Sequence, residues 1–292
     1  MAAGLALWAL AVWPAPAQVT GQGGAQVTPA TAPQRVVSIN LCTDQLAMML
    51  AAPGQLQSVT HVSLDSRMSP MAEQAANYSI NHGLAEEIYM LRPDLVLAGI
   101  YTPRETTAML ERLGIPVAVF APVTSLDDLR ANLTQMGAVL HRDAVAQAEL
   151  DAFDAGLAAL RAEALQGPKG PGPRAALYYA NGYTAGTSSL AHELLEVAGL
   201  RNAVVEAGYT DGGKLALETL AMIQPQMVIT AQRYPGGSHA EAVMDHPVVA
   251  GLRGEVASAV IADQDWVCGT PFVLNAIKGL VTARLALQTE AQ

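Results

Sequence analysis

Chemistry-bearing side chains in this chain gather in short loops, and two cysteines stand among them near opposite ends, Cys42 and Cys268. Asn40, Cys42 and Asp44 form the first group, followed by His61 and Arg67, then His82, then Tyr101 and Arg104. The second half offers Asn181 and Tyr183, then Tyr209, then Arg233 and Tyr234, then Trp266 just ahead of Cys268. Each residue type has its own chemistry. An even number of cysteines in an oxidising compartment is able to pair, provided the Cα atoms come within about 7 Å. The alternatives are a metal site drawn from Cys42, Asp44, His61, His82 and Cys268, donor types that suit soft or borderline ions, and two inert buried thiols. No close-spaced CxxC or HExxH is present. Arg67, Arg104 and Arg233 carry the planar fork that fits carboxylate or phosphate. For Arg67 and Arg104 the competing reading is a solvated loop cation, whereas Gln232-Arg233-Tyr234-Pro235-Gly236-Gly237 sets Arg233 on a turn. Aromatic residues make up only 5% of the chain, so five of them at such loops matter. They present flat faces with a polar tip for hydrogen bonds, or else are ordinary half-buried loop aromatics.

The elements that must position these residues alternate. Arg35–Asn40 (RVVSIN) reads as a short apolar strand, and Thr43–Leu50 as a helix capped by Thr43 or Asp44. Strands are expected at Ser58–Val62, Asp94–Ala98 and Pro116–Phe120, with helices at Leu84–Leu91, Pro103–Leu113 and Leu126–Leu140, and Gly114 at a left-handed cap. From Asp143 to Gln166 the apolar positions Ala146, Leu150, Phe153, Leu157, Leu160 and Ala164 recur in steps of three and four. That stretch predicts one uninterrupted helix of roughly 36 Å, ended by the Pro/Gly run of Gln166–Arg174. Beyond it come strands at Ala175–Tyr179, Met227–Thr230 and Ala259–Ile261 and helices at Ser189–Ala198, Glu218–Ile223 and Pro271–Leu287. The segment Glu86–Leu97 (EEIYMLRPDLVL) is echoed by Glu218–Ile229 (ETLAMIQPQMVI). The pattern predicts an α/β protein: two Rossmann-like lobes, residues 35–142 and 167–292, with mainly parallel sheets joined by one long backbone helix, 143–166. In open sheets of this kind ligands sit beyond the carboxyl ends of the strands, so the loop residues named above are the expected lining of a cleft between lobes.

Composition narrows the function. A chain of 292 residues, 51% hydrophobic and 14% charged, can build a sizeable core. Net charge of −10 without a basic run argues against a nucleic-acid partner. The apolar run Ala2–Trp13 followed by Ala15-Pro16-Ala17 reads as an export signal over residues 1–17, although no Lys or Arg precedes it. It is too short to span a bilayer. Residues 18–34 then read as a flexible leader, and the expected location is the bacterial periplasm. The fingerprints GxGxxG, GxxxxGK[ST] and GxSxG are all missing, which speaks against an enzyme on a doubly wound fold.

RVVSIN, the LRPDLVLAG turn, LGIPVAVF, the long mid-chain helix, ETLAMIQPQMVIT and the late Trp266-Val267-Cys268-Gly269-Thr270-Pro271 stand in an order that resembles the vitamin B12 and ferric-siderophore periplasmic binding proteins. The likeness runs from about Arg35 to Leu287. It implies a non-enzymatic, monomeric solute receptor of an ABC importer, with no intrinsic cofactor, that carries an iron-siderophore or cobalamin to a permease and its ATPase. Haem or free-metal capture is the alternative on the same scaffold. It also implies that flat aromatic faces meet a corrin, porphyrin or catecholate ring, Trp266 foremost because the family carries a Trp there. Glu86 and Glu218, at matching places in the echo, would dock on permease arginines, helix-dipole stabilisation being the competing explanation. Cys42 and Cys268 would both face the cleft, where a disulfide would restrict opening.

Overall fold

The computed structural model describes residues 28–166, 170–232, 236–255 and 257–290. The expected export signal, the leader up to residue 27, residues 167–169 of the Pro/Gly linker, and Arg233 and Tyr234 lie outside the described residues. The first lobe runs β1 (Val36–Ser38), α1 (Leu41–Leu50), β2 (Leu56–Thr60), α2 (Ala72–Ala75), β3 (Ser79–Asn81), α3 (Ala85–Met90), β4 (Leu95–Gly99), α4 (Arg104–Arg112), β5 (Val117–Phe120) and α5 (Leu126–Leu140). The long helix α6 (Asp143–Ala164) follows. The second lobe runs β6 (Arg174–Leu177), β7 (Tyr183–Thr184), α7 (Leu190–Val197), β8 (Arg201–Asn202), α8 (Ala203–Glu206), β9 (Gly213–Lys214), α9 (Leu217–Ile223), β10 (Met227–Ala231), α10 (Pro247–Glu255), β11 (Ala257–Ile261) and α11 (Val273–Glu290).

Each lobe has its own parallel sheet, in the order β3-β2-β1-β4-β5 and β11-β10-β6-β8. A small antiparallel pair, β7-β9, sits beside the second. Central strands such as β4 (LVLAG) and β10 (MVITA) read as nearly unbroken apolar runs because both faces are covered. In β4, Leu95 and Leu97 face one core while Val96 and Ala98 face another; in β10, Met227 and Ile229 oppose Val228 in the same way. The inner faces of both sheets share a single hydrophobic cluster, and α6 runs through it with Ala146, Phe153, Leu157 and Ala164 buried. Burying side chains such as Phe153 and Leu157 stabilises the fold by about 2–3 kcal/mol each.

α6 packs on α5 of the first lobe and on α11 and α7 of the second. Glycines allow these close approaches. A Cβ on Gly137 of α5 would lie 2.5 Å from the Ala146 Cβ, and one on Gly156 would lie 2.7 Å from a Leu274 methyl of α11. Arg130 of α5 pairs with Asp154 and covers the Phe153 ring at 5.6 Å. The buried Arg284 of α11 donates to the Ala164 carbonyl, a cation closing the carboxyl end of the strut.

Other contacts join the lobes beside the strut, among them the cysteine pairing that the sequence offers as one alternative. This disulfide, a buried Thr270 to Gln45 hydrogen bond of 3.1 Å, and a 2.8 Å bond from the Leu126 amide to the Glu193 carboxylate all cross. Helix α1 also begins earlier than expected, at Leu41, because Asn40 is the cap: its side-chain oxygen accepts from the Cys42 and Thr43 amides. The echo holds in three dimensions. α3 leads to β4 and α9 to β10, and each helix is followed by a left-handed residue ahead of Pro, Arg92 (φ 50°) and Gln224 (φ 48°).

Candidate functional site

Each parallel sheet has one point where strand order reverses, between β1 and β4 in the first lobe and between β6 and β10 in the second. Such switch points open a crevice at the carboxyl ends of the strands. In the first lobe the crevice is flanked by half-buried Asn40, whose amide lies over Gly99, a Cβ there meeting the Asn40 Nδ2 at 3.0 Å. Tyr101 extends from the same edge, 81% exposed, with exposed Arg104 at the start of α4. In the second lobe a cavity of about 270 Å³ opens beside Tyr179, Gln232, Glu241, Met244, Asp263 and Trp266. Trp266 meets Tyr179 edge-on, ring centroids 5.4 Å apart.

The disulfide brings these edges together. Cys42 follows Asn40 by two residues and Cys268 follows Trp266 by two, and their Cα atoms are 4.9 Å apart. Next to it Gly269 (φ 57°) lies so close to Val123 that a Cβ would come within 2.5 Å of the valine Cβ. Only glycine fits there, for both space and backbone conformation.

Not every expected lining residue faces the crevice. Asp44 is fully buried, its Oδ2 accepting from the Thr60 amide (3.0 Å), the Thr60 hydroxyl and the Ser63 hydroxyl (2.7 Å). It braces the carboxyl end of β2 and the turn that follows instead of reaching ligand. Burial lifts its carboxyl to about 6 against the pull of the donors. The alternative of a metal site drawn from Cys42, Asp44, His61, His82 and Cys268 is likewise not assembled among the described residues. The cysteines are joined to each other, Asp44 is enclosed, and among the described residues no three donors converge. His61 and His82 do come together, stacked at 5.0 Å. Arg67 forks onto Asp65, holding that carboxyl down at about 2. Asn181 is exposed in the left-handed conformation (φ 58°), its amide donating to the Ala240 carbonyl. Tyr183 and Tyr209 are about half exposed, the former in β7 and the latter after α8. Glu86 and Glu218 are both exposed in the first turns of α3 and α9.

Tyr179 escaped sequence reasoning because it continues the apolar run of β6. Its hydroxyl is buried without a hydrogen-bond partner, and burial, with Asp263 nearby, pushes its ionisation well above the ordinary tyrosine range. A doubled Tyr at a strand end was the available signal, one ring turned into the core (Tyr178, 1% exposed) and its neighbour toward the crevice. A larger concavity, about 860 Å³, lies elsewhere, at the carboxyl end of α6 among Asp127, Arg130, Arg161, Glu193, Glu196 and Arg284. Its charges are mixed and Arg130 and Arg284 are engaged in seating the strut, so the switch-point crevice is the better site.

The sequence profile of the periplasmic binding protein family matches residues 36–254. A cobalamin-binding protein of Halobacterium salinarum is 28% identical over 202 residues, covering 68% of this chain and 54% of that one; the chain thus spans about half the length of the curated relatives it matches. Among solved structures, the periplasmic haem-binding protein RhuT of Roseiflexus sp. RS-1 superposes with a TM-score of 0.70 at 21% identity, covering 87% of this chain and 99% of that one. The periplasmic vitamin B12 binding protein BtuF of Vibrio cholerae gives 0.65 at 18% identity, covering 88% and 98%. With two parallel-sheet lobes hung on one helix and three-quarters of its length inside the profile, the chain belongs to the periplasmic binding protein family.

Proposed function

We propose that this protein is the solute receptor of an ABC importer, taking a metal chelate into the crevice between its lobes and delivering it to a permease without chemical change. The cargo class is an iron or cobalt complex: a ferric siderophore, cobalamin or haem. The observation that carries the proposal is the convergence of both switch points on one tether, with Asn40 on one side of Cys42–Cys268 and the Tyr179–Trp266 cavity on the other. Flat rings offering area and a polar tip suit a large planar ligand, and the buried Tyr179 hydroxyl has a hydrogen bond still to make. The cobalamin-binding relative and the haem and vitamin B12 binding structures support the same cargo class.

Glu86 and Glu218 are the proposed permease contacts, exposed on equivalent helices of the two lobes. Export to the periplasm fits the leader sequence and the disulfide. The test is a titration of the purified protein with cyanocobalamin, a ferric hydroxamate siderophore and hemin, following tryptophan emission beside a Trp266→Phe control. Saturable one-to-one quenching by one of them, lost in the control, is expected. No saturable response to any of the three refutes the assignment.

A further inference from the structure

Three consecutive residues of the second lobe each meet the first lobe: Cys268 through the bond to Cys42, Gly269 by its close approach to Val123, and Thr270 through the 3.1 Å hydrogen bond from its hydroxyl to Gln45 Oε1. They follow Trp266 closely in sequence, so this seam stands at the crevice. The other fastenings lie along the strut, where α6 packs on both lobes and the Leu126–Glu193 bond sits at its carboxyl end. Without its covalent member the seam is weak. Gln45 is fully buried, and while its oxygen accepts from Thr270, its amide nitrogen has no hydrogen-bond partner. A buried donor left unsatisfied forfeits its hydration, so parting the lobes here breaks one hydrogen bond and returns water to a stranded amide.

The cysteine pair is placed for exchange with another dithiol. Cys42 is half-buried and Cys268 buried, so the reachable sulfur is that of Cys42. Cys42 is also the second residue of the ten-residue helix α1, where the positive end of the helix dipole favours a thiolate. We infer that Cys42–Cys268 is a thiol-operated latch on the crevice: oxidised, it holds the seam shut, and reduced by an exported dithiol protein of the Cys-x-x-Cys type, it lets the lobes part transiently so that cargo exchanges. At rest the core shared on α6 still keeps the lobes together. In the chemical step a thiolate of the partner attacks the Cys42 sulfur, and Cys268 leaves with the electron pair of the S–S bond and takes up a proton. The partner's second thiolate then attacks its own first sulfur, and Cys42 leaves as the thiolate. Two electrons and, once Cys42 is protonated, two protons pass to the receptor's cysteines, and the partner ends as a disulfide. The gating of cargo rests on the proposed receptor function; the opening of the seam does not.

The experiment incubates the full chain, without cargo or denaturant, with dithiothreitol as the dithiol and then follows amide hydrogen exchange by mass spectrometry. Expected are two titratable thiols per chain and exchange at least about tenfold faster in the segments 41–46 and 268–275, with α6 still protected. Cys42→Ser with Cys268→Ser should show the same fast exchange without reductant. Thr270→Val, which removes the hydrogen bond but keeps the disulfide, should not. A disulfide reduced only in denaturant, unchanged exchange at the seam after reduction, a seam opened by Thr270→Val alone, or loss of protection throughout α6 as well overturns the latch. Whichever of cyanocobalamin, the ferric hydroxamate and hemin binds should dissociate at least about tenfold faster from the double serine variant than from the oxidised chain. Equal rates overturn the gating while leaving the receptor function intact. Failure of all three to bind overturns the receptor function, and the exchange measurement still decides the latch.

Discussion

Replacing both cysteines, Cys42→Ala with Cys268→Ala, tests how the lobes are fastened. The disulfide closes a loop of 226 residues, which in the chain-entropy account restricts the denatured ensemble by about 18 cal/mol/K, or about 5 kcal/mol at 25 °C. A domain's whole stability is about 5–15 kcal/mol, so the loss should be large. The folded state should nevertheless keep its shape, because α6 runs through a core shared by both lobes and Thr270 still reaches Gln45. Equilibrium denaturation should therefore show a fall approaching 5 kcal/mol, with a steeper denaturant dependence as the freed denatured chain expands. Far-ultraviolet circular dichroism should be unchanged. The untreated native protein should show no titratable thiol, all cysteines among the described residues being paired. A change under about 1 kcal/mol, far below the chain-entropy figure, would refute the reasoning.

Three other outcomes follow from particular residues. Asp44 holds its proton more tightly folded than unfolded, with a carboxyl at about 6 against 3.8, so the protein should lose stability as pH rises from about 4 to about 6, by at most about 3 kcal/mol at 1.36 kcal/mol per unit; Asp44→Asn should flatten that slope in thermal melts across pH. Gly269→Ala forces a Cβ against Val123 in a left-handed backbone and should cost about 2–4 kcal/mol from overpacking and backbone strain together, measured by denaturation, with a conservative outcome under about 0.5 kcal/mol speaking against the close approach of the lobes. Charge reversal at both Glu86 and Glu218 should abolish chelate uptake by cells while leaving affinity of the purified protein unchanged; lost affinity would place those carboxylates at the ligand instead.

The strut was legible because its stripe of Ala146, Phe153, Leu157 and Ala164 is long and strictly spaced, and a helix that must bury a face over six turns cannot hide its period. The echo of Glu86–Leu97 in Glu218–Ile229 was equally legible, since helix, Pro and buried strand are each local signals. What escaped were short elements and contacts made at a distance. Two-residue strands such as β8 (Arg201–Asn202) carry no period at all. Asp44 looked like a cap by residue type, but Asn40 holds that role and the carboxylate lies in the core. The pairing of His61 with His82 depends on two neighbouring strand ends meeting, and nothing in the local sequence of either histidine encodes it. The cysteines were recognisable as cleft-facing candidates, but the choice among disulfide, metal and free thiol needed the 4.9 Å Cα separation.

Locating the metal of a bound chelate by anomalous scattering from a crystal of the complex tests the central claim most directly. The cobalt or iron should appear between the lobes, flanked by His82 and Tyr101 on one side and by Tyr179 and Trp266 on the other, close to the Cys42–Cys268 tether. A metal found in the groove at the carboxyl end of α6, among Arg161, Glu193 and Glu196, would contradict it.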